Sequence, residues 1–351
     1  MAVERALHSK PRLTLGLGCL LGLVATAAGC GEGRQAHLGT SQARLFLEGY
    51  RPGERGASLT LIDLPAGSKK TVHHPQVGLG DPPLLDVTGG RLVFHGADGA
   101  TYAIDTDLEG RRQKLANGWF FGSATEGRVW LTFFSRRSPG TSRTPVSESE
   151  VTVHGRVTVP RGAPPPCEGP QDVVTATAHA ILCQSHTGLD VFDPRTGRVL
   201  MRLPGPFPAA TYGNRVAWCG NACPRLHITD VATGQDQRIQ PHGSFRFAGT
   251  YDGAFSPDGS LLAVPVNVRA CPGHSDLQTC RIALVNVDSG TADLIRSPDL
   301  SVYAPLAWSS RGELYFLAAR GRIMGYRPGA ARAVALPVRV RKLNVLDMGA
   351  S

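Results

Sequence analysis

The stretch Ala254-Phe255-Ser256-Pro257-Asp258-Gly259, followed by the apolar run Leu261 to Val268, decides how this chain folds. A second turn, Asp288-Ser289-Gly290, separates the β-rich run Ile282 to Val287 from the run Ala292 to Arg296. Tight reversals favour Gly, Asn and Asp because these residues reach positive φ at low cost. The stretch therefore predicts one antiparallel unit of four strands, lettered a to d.

The same order of strands and turns recurs along the chain. Turns of the c-to-d type can be read in five further units, at Leu64 to Gly67, Asp107 to Gly110, Asp193 to Gly197, Val231 to Gly234 and Pro328 to Ala330. The remaining unit, around Val151 to Val159, matches the pattern least well. No long helical periodicity is present, and short β-rich runs between Gly-containing turns are typical of antiparallel structure. Repeats of this length predict a ring of modules that bury their faces against each other.

Two of these motifs carry a resemblance to known families. Phe255-Ser256-Pro257-Asp258-Gly259 resembles the FSPDG turn of TolB-like, WD40-like and YVTN-type propellers, and Phe192 to Val199 resembles their D-x-x-T-G-x-V hairpin. The resemblance covers nearly all of residues 44 to 347. It implies a β-propeller fold and says little about function, because propellers include binding proteins and enzymes alike. No cofactor is implied, since no tryptophan repeats at one position in each unit, as it does in quinoprotein propellers.

We predict an all-β fold over residues 44 to 347, a seven-bladed β-propeller of four-stranded antiparallel blades. The first unit begins at Arg44 and has no strand a, whereas Lys342 to Asp347 follow a complete seventh unit. This spare strand is therefore predicted to be the inner strand of blade one and to close the ring, which leaves no open end blade. Residues 348 to 351 are predicted to be a short tail.

The N-terminus has the layout of an export signal. Arg5, Lys10 and Arg12 precede an apolar run from Leu13 to Ala28, which is too short to favour a membrane span. The run ends in Ala27-Ala28-Gly29-Cys30, which resembles the lipobox of bacterial lipoproteins. We expect residues 1–29 to be a signal peptide, Cys30 to be lipidated, and residues 30–43 to be a flexible tether. A plain signal peptide that is cut nearby is the alternative, and both readings imply export.

The charge and the cysteine count agree with an exported protein. The net charge of +9 falls to about +7 once residues 1–29 are removed, and this excess favours either anionic envelope partners or solubility alone over nucleic acid. The mature chain keeps an even number of cysteines beyond Cys30, which predicts disulfides in an oxidising compartment. Neighbour pairing favours Cys167–Cys183, Cys219–Cys223 and Cys271–Cys280, although six cysteines allow fifteen connectivities.

The longest loops fall on one predicted face of the ring, where the b-to-c and d-to-a connections emerge. Function on rigid scaffolds usually lies in such loops. The candidate binding residues on this face are Arg136, Arg137, His186, Asn221 and His274. Disulfides would either preorganise these loops for binding or protect them from proteolysis. The sector from Leu314 to Leu346 is basic throughout, and its Val338-Arg339-Val340-Arg341 alternation indicates either a solvated strand face or a docking surface for anions.

The sequence contains few signs of catalysis. It contains no G-x-S-x-G, Walker A, strand-to-helix G-x-G-x-x-G or H-E-x-x-H motif. The short Cys and His spacings are each explained by a disulfide, so no metal site and no cofactor are predicted. Asp81, Asp252 and Asp299 are candidates to approach the central channel, where paired carboxylates can run lyase or glycosidase chemistry.

The prediction is a monomeric, lipid-anchored propeller on the outer side of the cytoplasmic membrane. It is expected to act as a non-catalytic binding or scaffold protein for an envelope protein or an anionic wall polymer, and not for nucleic acid. The alternative is a lyase or hydrolase that uses loop carboxylates in the central channel. A third hypothesis, a metal or redox protein, requires that Cys219 and Cys223 are free thiols.

Overall fold

A computed structural model describes most of the chain. The described residues are 43–50, 58–64, 66–73, 85–96, 98–123, 125–134, 145–159, 173–185, 187–205, 207–220, 223, 225–247, 253–268, 281–300, 305–340 and 344–351. They all belong to one compact unit. Within these ranges the secondary structure is β, apart from a 3-10 turn at Ala319–Gly321.

The strands of the first four units alternate with short turns. They are β1 (Arg44–Tyr50), β2 (Ser58–Asp63), β3 (Ser68–His73), β4 (Leu85–Thr88), β5 (Arg91–His95), β6 (Ala100–Asp105), β7 (Gln113–Asn117), β8 (Trp119–Gly122), β9 (Arg128–Phe134), β10 (Pro145–Thr152), β11 (Val157–Val159), β12 (Val173–Ala176), β13 (Ile181–Ser185), β14 (Gly188–Phe192) and β15 (Val199–Leu203).

The remaining units continue the pattern to the end of the chain. Their strands are β16 (Phe207–Tyr212), β17 (Arg215–Cys219), β18 (Leu226–Asp230), β19 (Asp236–Arg238), β20 (Gln240–Pro241), β21 (Phe245–Phe247), β22 (Ala254–Phe255), β23 (Leu261–Val268), β24 (Arg281–Asn286), β25 (Thr291–Leu294), β26 (Leu306–Trp308), β27 (Leu314–Ala318), β28 (Arg322–Tyr326), β29 (Val334–Arg339) and β30 (Asn344–Ala350).

These strands form seven antiparallel sheets, which are the blades of a propeller. Blade 1 has the order β30-β1-β2-β3, blades 2 to 5 contain β4–β7, β8–β11, β12–β15 and β16–β19, and blade 7 contains β26–β29. The inner strands contact one another around the ring, with β30 lying between β26 and β4. The predicted seven-bladed propeller is therefore confirmed, and the weakly matching third unit forms blade 3.

Blade 6 departs from the four-strand pattern in two ways. Its inner position is shared by β21 and β22, which pair with opposite ends of β23. Its outer edge gains β20, which pairs with β25 in parallel. The N–H of Gln240 donates to the carbonyl of Gly290 at 2.8 Å, so the segment that leaves blade 5 is drawn onto the edge of blade 6. The added strand thereby covers part of that edge.

The C-terminal strand closes the ring, as predicted, because β30 pairs antiparallel with β1. Two predicted boundaries need correction. The strand begins at Asn344 and runs to Ala350, so residues 348 to 350 are part of blade 1 and not of a tail. Ala43 is buried and its carbonyl accepts the N–H of Leu64 at 2.8 Å, so this residue, predicted to end the tether, is part of the propeller.

The core lies between the blades, because the two faces of each sheet pack on different neighbours. In β5, Leu92 and Phe94 pack toward blade 1, whereas Val93 between them packs with Phe120 of blade 3. Burial on both faces explains why the strands read as continuous apolar runs and not as an alternation. Six apolar clusters, each spanning neighbouring blades, hold the ring together.

Candidate functional site

Most of the residues predicted for the loop face lie outside the described part of the chain. They are Arg136, Arg137, His186, Asn221 and His274, together with Cys30, Cys167, Cys271 and Cys280. Of the carboxylates predicted near the channel, Asp81 and Asp252 also lie outside it. Asp299 is described and forms an ion pair with Arg281 at 3.1 Å. The loop-face residues therefore remain predictions.

A disulfide between Cys219 and Cys223 closes the b-to-c connection of blade 5. Both residues are buried, and they belong to the apolar cluster between blades 5 and 6. Cys223 has a φ of 41°, and its N–H donates to the carbonyl of Gly220 at 2.9 Å. The connection is therefore held by a covalent bond, by a backbone hydrogen bond and by packing. Cys183 is also disulfide-bonded, so these three described cysteines are not free thiols.

A closed network of polar side chains lies beside this disulfide. The indole N–H of Trp218 donates to Thr229 Oγ1 at 2.7 Å, and the Thr229 hydroxyl donates to Asp236 Oδ1 at 2.7 Å. Asp236 Oδ2 lies 2.8 Å from His227 Nδ1, and the His227 ring stacks on Trp218 with 4.5 Å between the ring centroids. Each side chain of the network forms a hydrogen bond or a ring contact with the next one. The network therefore holds the three strands β17, β18 and β19 together.

The described residues also form a cleft of about 450 Å³ between blades 3 and 4. Trp130 and Val159 line it from blade 3, and His179, Arg195 and Leu200 line it from blade 4. His179 lies in the a-to-b turn and Arg195 in the c-to-d turn, so the cleft opens on the face opposite to the predicted loop face. Sequence reasoning missed this cleft because its walls come from different blades.

The chemistry of the cleft is that of hydrogen-bond donors. The indole N–H of Trp130 is buried and has no hydrogen-bond partner among the described residues, while the ring stacks on Phe121. The Asp193 carboxylate is occupied by its own turn, where it accepts the N–H of Arg195 at 2.8 Å and the hydroxyl of Thr196 at 2.9 Å. These hydrogen bonds lower the pKa of Asp193, led by the one from the Arg195 N–H.

Asp86 is the most perturbed carboxyl group near the channel. It lies on the inner strand β4, where Leu85 and Val87 pack toward blade 1 and Asp86 faces Gly122 of blade 3. A Cβ added at Gly122 would lie 3.4 Å from Asp86 Oδ2, so the glycine provides the space for this carboxyl group. Desolvation raises the pKa of Asp86 to about 6, against a smaller opposing effect of the Val87 N–H. In the sequence, a carboxyl group within an otherwise apolar strand indicates such a perturbed residue.

Glu150 in blade 3 is a buried carboxylate that is held by described side chains around it. It accepts hydrogen bonds from Ser123 at 2.9 Å, Arg128 at 3.1 Å and Thr158 at 2.7 Å. A buried charge that is fully hydrogen-bonded in this way is typical of a structural group. Within the described ranges, no group of three or more His, Cys, Asp or Glu side chains is placed to hold a metal ion.

Comparison with solved structures identifies the same fold. The chain is similar to the dihydro-heme d1 dehydrogenase NirN in complex with DHE, at 14% identity and a TM-score of 0.53, over 88% of this chain and 75% of that one. It is similar to AztD from Citrobacter koseri at 12% identity and a TM-score of 0.51, over 88% and 98%. TolB from Acinetobacter baumannii aligns at 13% identity and a TM-score of 0.48, over 88% and 66%.

The likenesses to NirN and AztD show the propeller fold and no more, because their sequence identities to this chain are low. No protein-family model matches the chain, and no curated protein matches it. Among the residues that the structure describes, no helix is long and apolar enough to cross a membrane.

Proposed function

We propose that this protein is a lipid-anchored propeller on the outer side of the cytoplasmic membrane, where it binds an envelope protein or wall polymer without catalysis of its own. The observation that carries the proposal is the Cys219–Cys223 disulfide, which closes a b-to-c connection of blade 5. Disulfides persist in oxidising compartments, which supports export. A loop that is already fixed loses little entropy when it binds, which supports a recognition role for that face.

The N-terminal sequence supports the anchor. Residues 1–29 have the layout of an export signal, and Ala27-Ala28-Gly29-Cys30 resembles a lipobox. A single acyl modification binds membranes only weakly, whereas a diacylglycerol on Cys30 would supply two chains and stable attachment. The proposed anchor thus explains how a propeller without a described membrane-spanning helix could remain at the envelope.

A second candidate function is an enzyme of the central channel. The observation in its favour is Asp86, whose pKa is raised to about 6 on the inner strand of blade 2. Perturbed carboxyl groups are enriched at catalytic sites, because a general acid or base works best when its pKa is close to the ambient pH. The similar protein NirN is named as a dehydrogenase, which illustrates that the fold can carry an enzyme.

The test of the anchor is fractionation of cells that express the full-length chain or its Cys30→Ser variant. We expect the full-length protein in the membrane fraction and the variant in the soluble exported fraction. Metabolic labelling with a fatty acid should mark only the protein that retains Cys30. Equal membrane retention of both proteins would contradict lipid attachment at this residue.

The test of recognition is cross-linking and affinity capture from native membranes. The bait is the mature protein, and the comparison is the double variant Cys219→Ser/Cys223→Ser, which opens the blade 5 loop. His179→Ala/Arg195→Ala serves as the matched control, since it alters the opposite face. We expect one partner to be enriched by the wild type and the control but not by the opened loop. Enrichment that does not depend on the loop would contradict recognition by the loop face and favour a site in the channel. The Asp86→Asn variant would then be assayed for loss of enzymatic turnover.

A further inference from the structure

Three cationic side chains lie together where blade 7 meets blade 1. Arg322 on β28 and Arg339 on β29 are partners in the antiparallel register. Lys69 on β3 of blade 1 donates from Nζ to the backbone carbonyl of Arg339 at 2.9 Å. We call Lys69, Arg322 and Arg339 the basic seam. Its members come from opposite ends of the chain and meet only because the ring closes.

The charges of the basic seam have no internal counterion. None of its members takes part in an ion pair among the described residues. Residues 306–339 contain six arginines and one acidic residue, Glu313. That carboxylate is engaged by Arg327 at 2.6 Å and by the Tyr315 hydroxyl at 2.8 Å. Like charges opposite each other on paired strands are destabilising, so an external anion would relieve this arrangement.

The chain enters the propeller next to the basic seam. Ala43 and β1 belong to blade 1, which also supplies Lys69. The twelve residues between Cys30 and Ala43 let the two ends separate by at most about 45 Å when fully extended. A lipid on Cys30 would therefore keep blade 1 close to the bilayer and raise the local concentration of headgroups at the seam.

We propose that the basic seam docks on the anionic phosphate headgroups of the membrane that holds the lipid anchor. The proposal rests on the proposed anchor at Cys30, and it gives the tethered propeller a preferred orientation. Each basic side chain near an anionic surface adds a modest electrostatic attraction, so the three members of the seam together would orient the ring without holding it irreversibly.

The test uses the unlipidated chain from Gly31 onward, whose propeller is closed between β1 and β30. Its sedimentation is measured with vesicles of phosphatidylglycerol in phosphatidylcholine and with vesicles of phosphatidylcholine alone. The seam variant is Arg322→Glu/Arg339→Glu, and Arg322→Gln/Arg339→Gln provides a milder change if the first fails to fold. Arg198→Glu/Arg202→Glu is the matched control, with the same charge change at exposed arginines of blade 4.

We expect the wild type and the blade 4 control to bind the anionic vesicles, and added salt to weaken that binding. The Glu seam variant should bind at least about tenfold more weakly, and the Gln variant should lie in between. Equal binding by the seam and control variants would overturn the proposal, as would equal binding to neutral vesicles. Binding to a soluble glycerol-phosphate polymer but not to vesicles would also overturn it, in favour of a wall polymer.

Failure of the seam and failure of the anchor are distinguishable. The wild-type chain could fail to bind anionic vesicles while membrane retention in cells still depends on Cys30. In that case the seam proposal is wrong and the anchor proposal stands. If retention does not depend on Cys30 but the vesicles bind in a seam-dependent way, the anchor is wrong and the docking surface stands.

Discussion

Arg44 and Ser351 exchange backbone hydrogen bonds, with the N–H of Ser351 donating to the carbonyl of Arg44 at 3.0 Å and the reverse bond at 3.4 Å. The last residue of the chain is thereby joined to the first residue of β1. Blade 1 takes its inner strand from the C-terminus and its other three strands from the N-terminal part. In the described part of the propeller, this sheet is where the two ends of the chain pair, so we expect the stability of the ring to depend on it.

Deletion of residues 344–351 should lower the melting temperature by at least about 10 °C, since it removes β30 and leaves the inner edge of β1 unpaired. Thermal unfolding followed by circular dichroism measures the effect. A synthetic peptide of residues 342–351 should restore part of the loss, and a scrambled peptide should not. A melt that the deletion leaves unchanged would show that the ring does not depend on this strand.

Gly259→Ala should destabilise the protein more than Gly312→Ala, by about 1–3 kcal/mol. Both glycines end an a-to-b turn with positive φ, 69° and 73°, so both substitutions carry a similar backbone cost. A Cβ at Gly259 would collide with the ring of Tyr212, whereas a Cβ at Gly312 would meet open space. Denaturant unfolding of the two variants isolates the contact with Tyr212, and equal losses would contradict it.

Asp86 should make the protein less stable as the pH rises from about 4 to above 6. Burial raises its pKa from 3.8 to about 6, so the folded state binds this proton more tightly than the unfolded state. The resulting stabilisation is fully present at low pH and is lost as the carboxyl group ionises.

Asp86→Asn should therefore stabilise the protein near pH 7.5 by about 1–3 kcal/mol and have little effect near pH 4. Urea unfolding at the two pH values measures the difference. Glu150→Gln is the comparison. The Glu150 carboxylate accepts three hydrogen bonds, so this variant should be less stable than the wild type at neutral pH. An equal effect of Asp86→Asn at both pH values would exclude a raised pKa in the folded state.

The double substitution Cys219→Ser/Cys223→Ser should reduce the free energy of unfolding by about 2 kcal/mol, the entropy that a five-residue loop regains in the unfolded chain. The single substitution Thr229→Val, on the neighbouring strand β18 in the polar network, should cost a similar amount because it leaves the Trp218 N–H without its acceptor. Unfolding of the single and combined variants tests whether the disulfide and the network act independently. Full additivity would show that they do not support each other.

The sequence by itself determined the class of fold and the number of blades. Turn residues such as Pro257-Asp258-Gly259 carry local information, since a positive φ at Gly259 is set by the residue and its neighbours. The pairing of the C-terminal strand with blade 1 could also be predicted from the sequence. The first unit lacks a strand a, and the C-terminal strand is left over after the seventh unit. The end of that strand at Ala350 was missed, since a Met-Gly-Ala segment has little strand propensity of its own.

Tertiary structure alone decided the sites. The cleft at Trp130 and Arg195 is built from two blades, and the basic seam joins Lys69 to Arg339 through closure of the ring. Desolvation raises the pKa of Asp86, and the carboxyl group faces Gly122 on the inner strand of another blade. Local propensity acts over a few neighbouring residues, whereas desolvation and electrostatic effects act between whichever groups the fold brings together. These sites therefore follow from the arrangement of the blades and not from any single stretch of sequence.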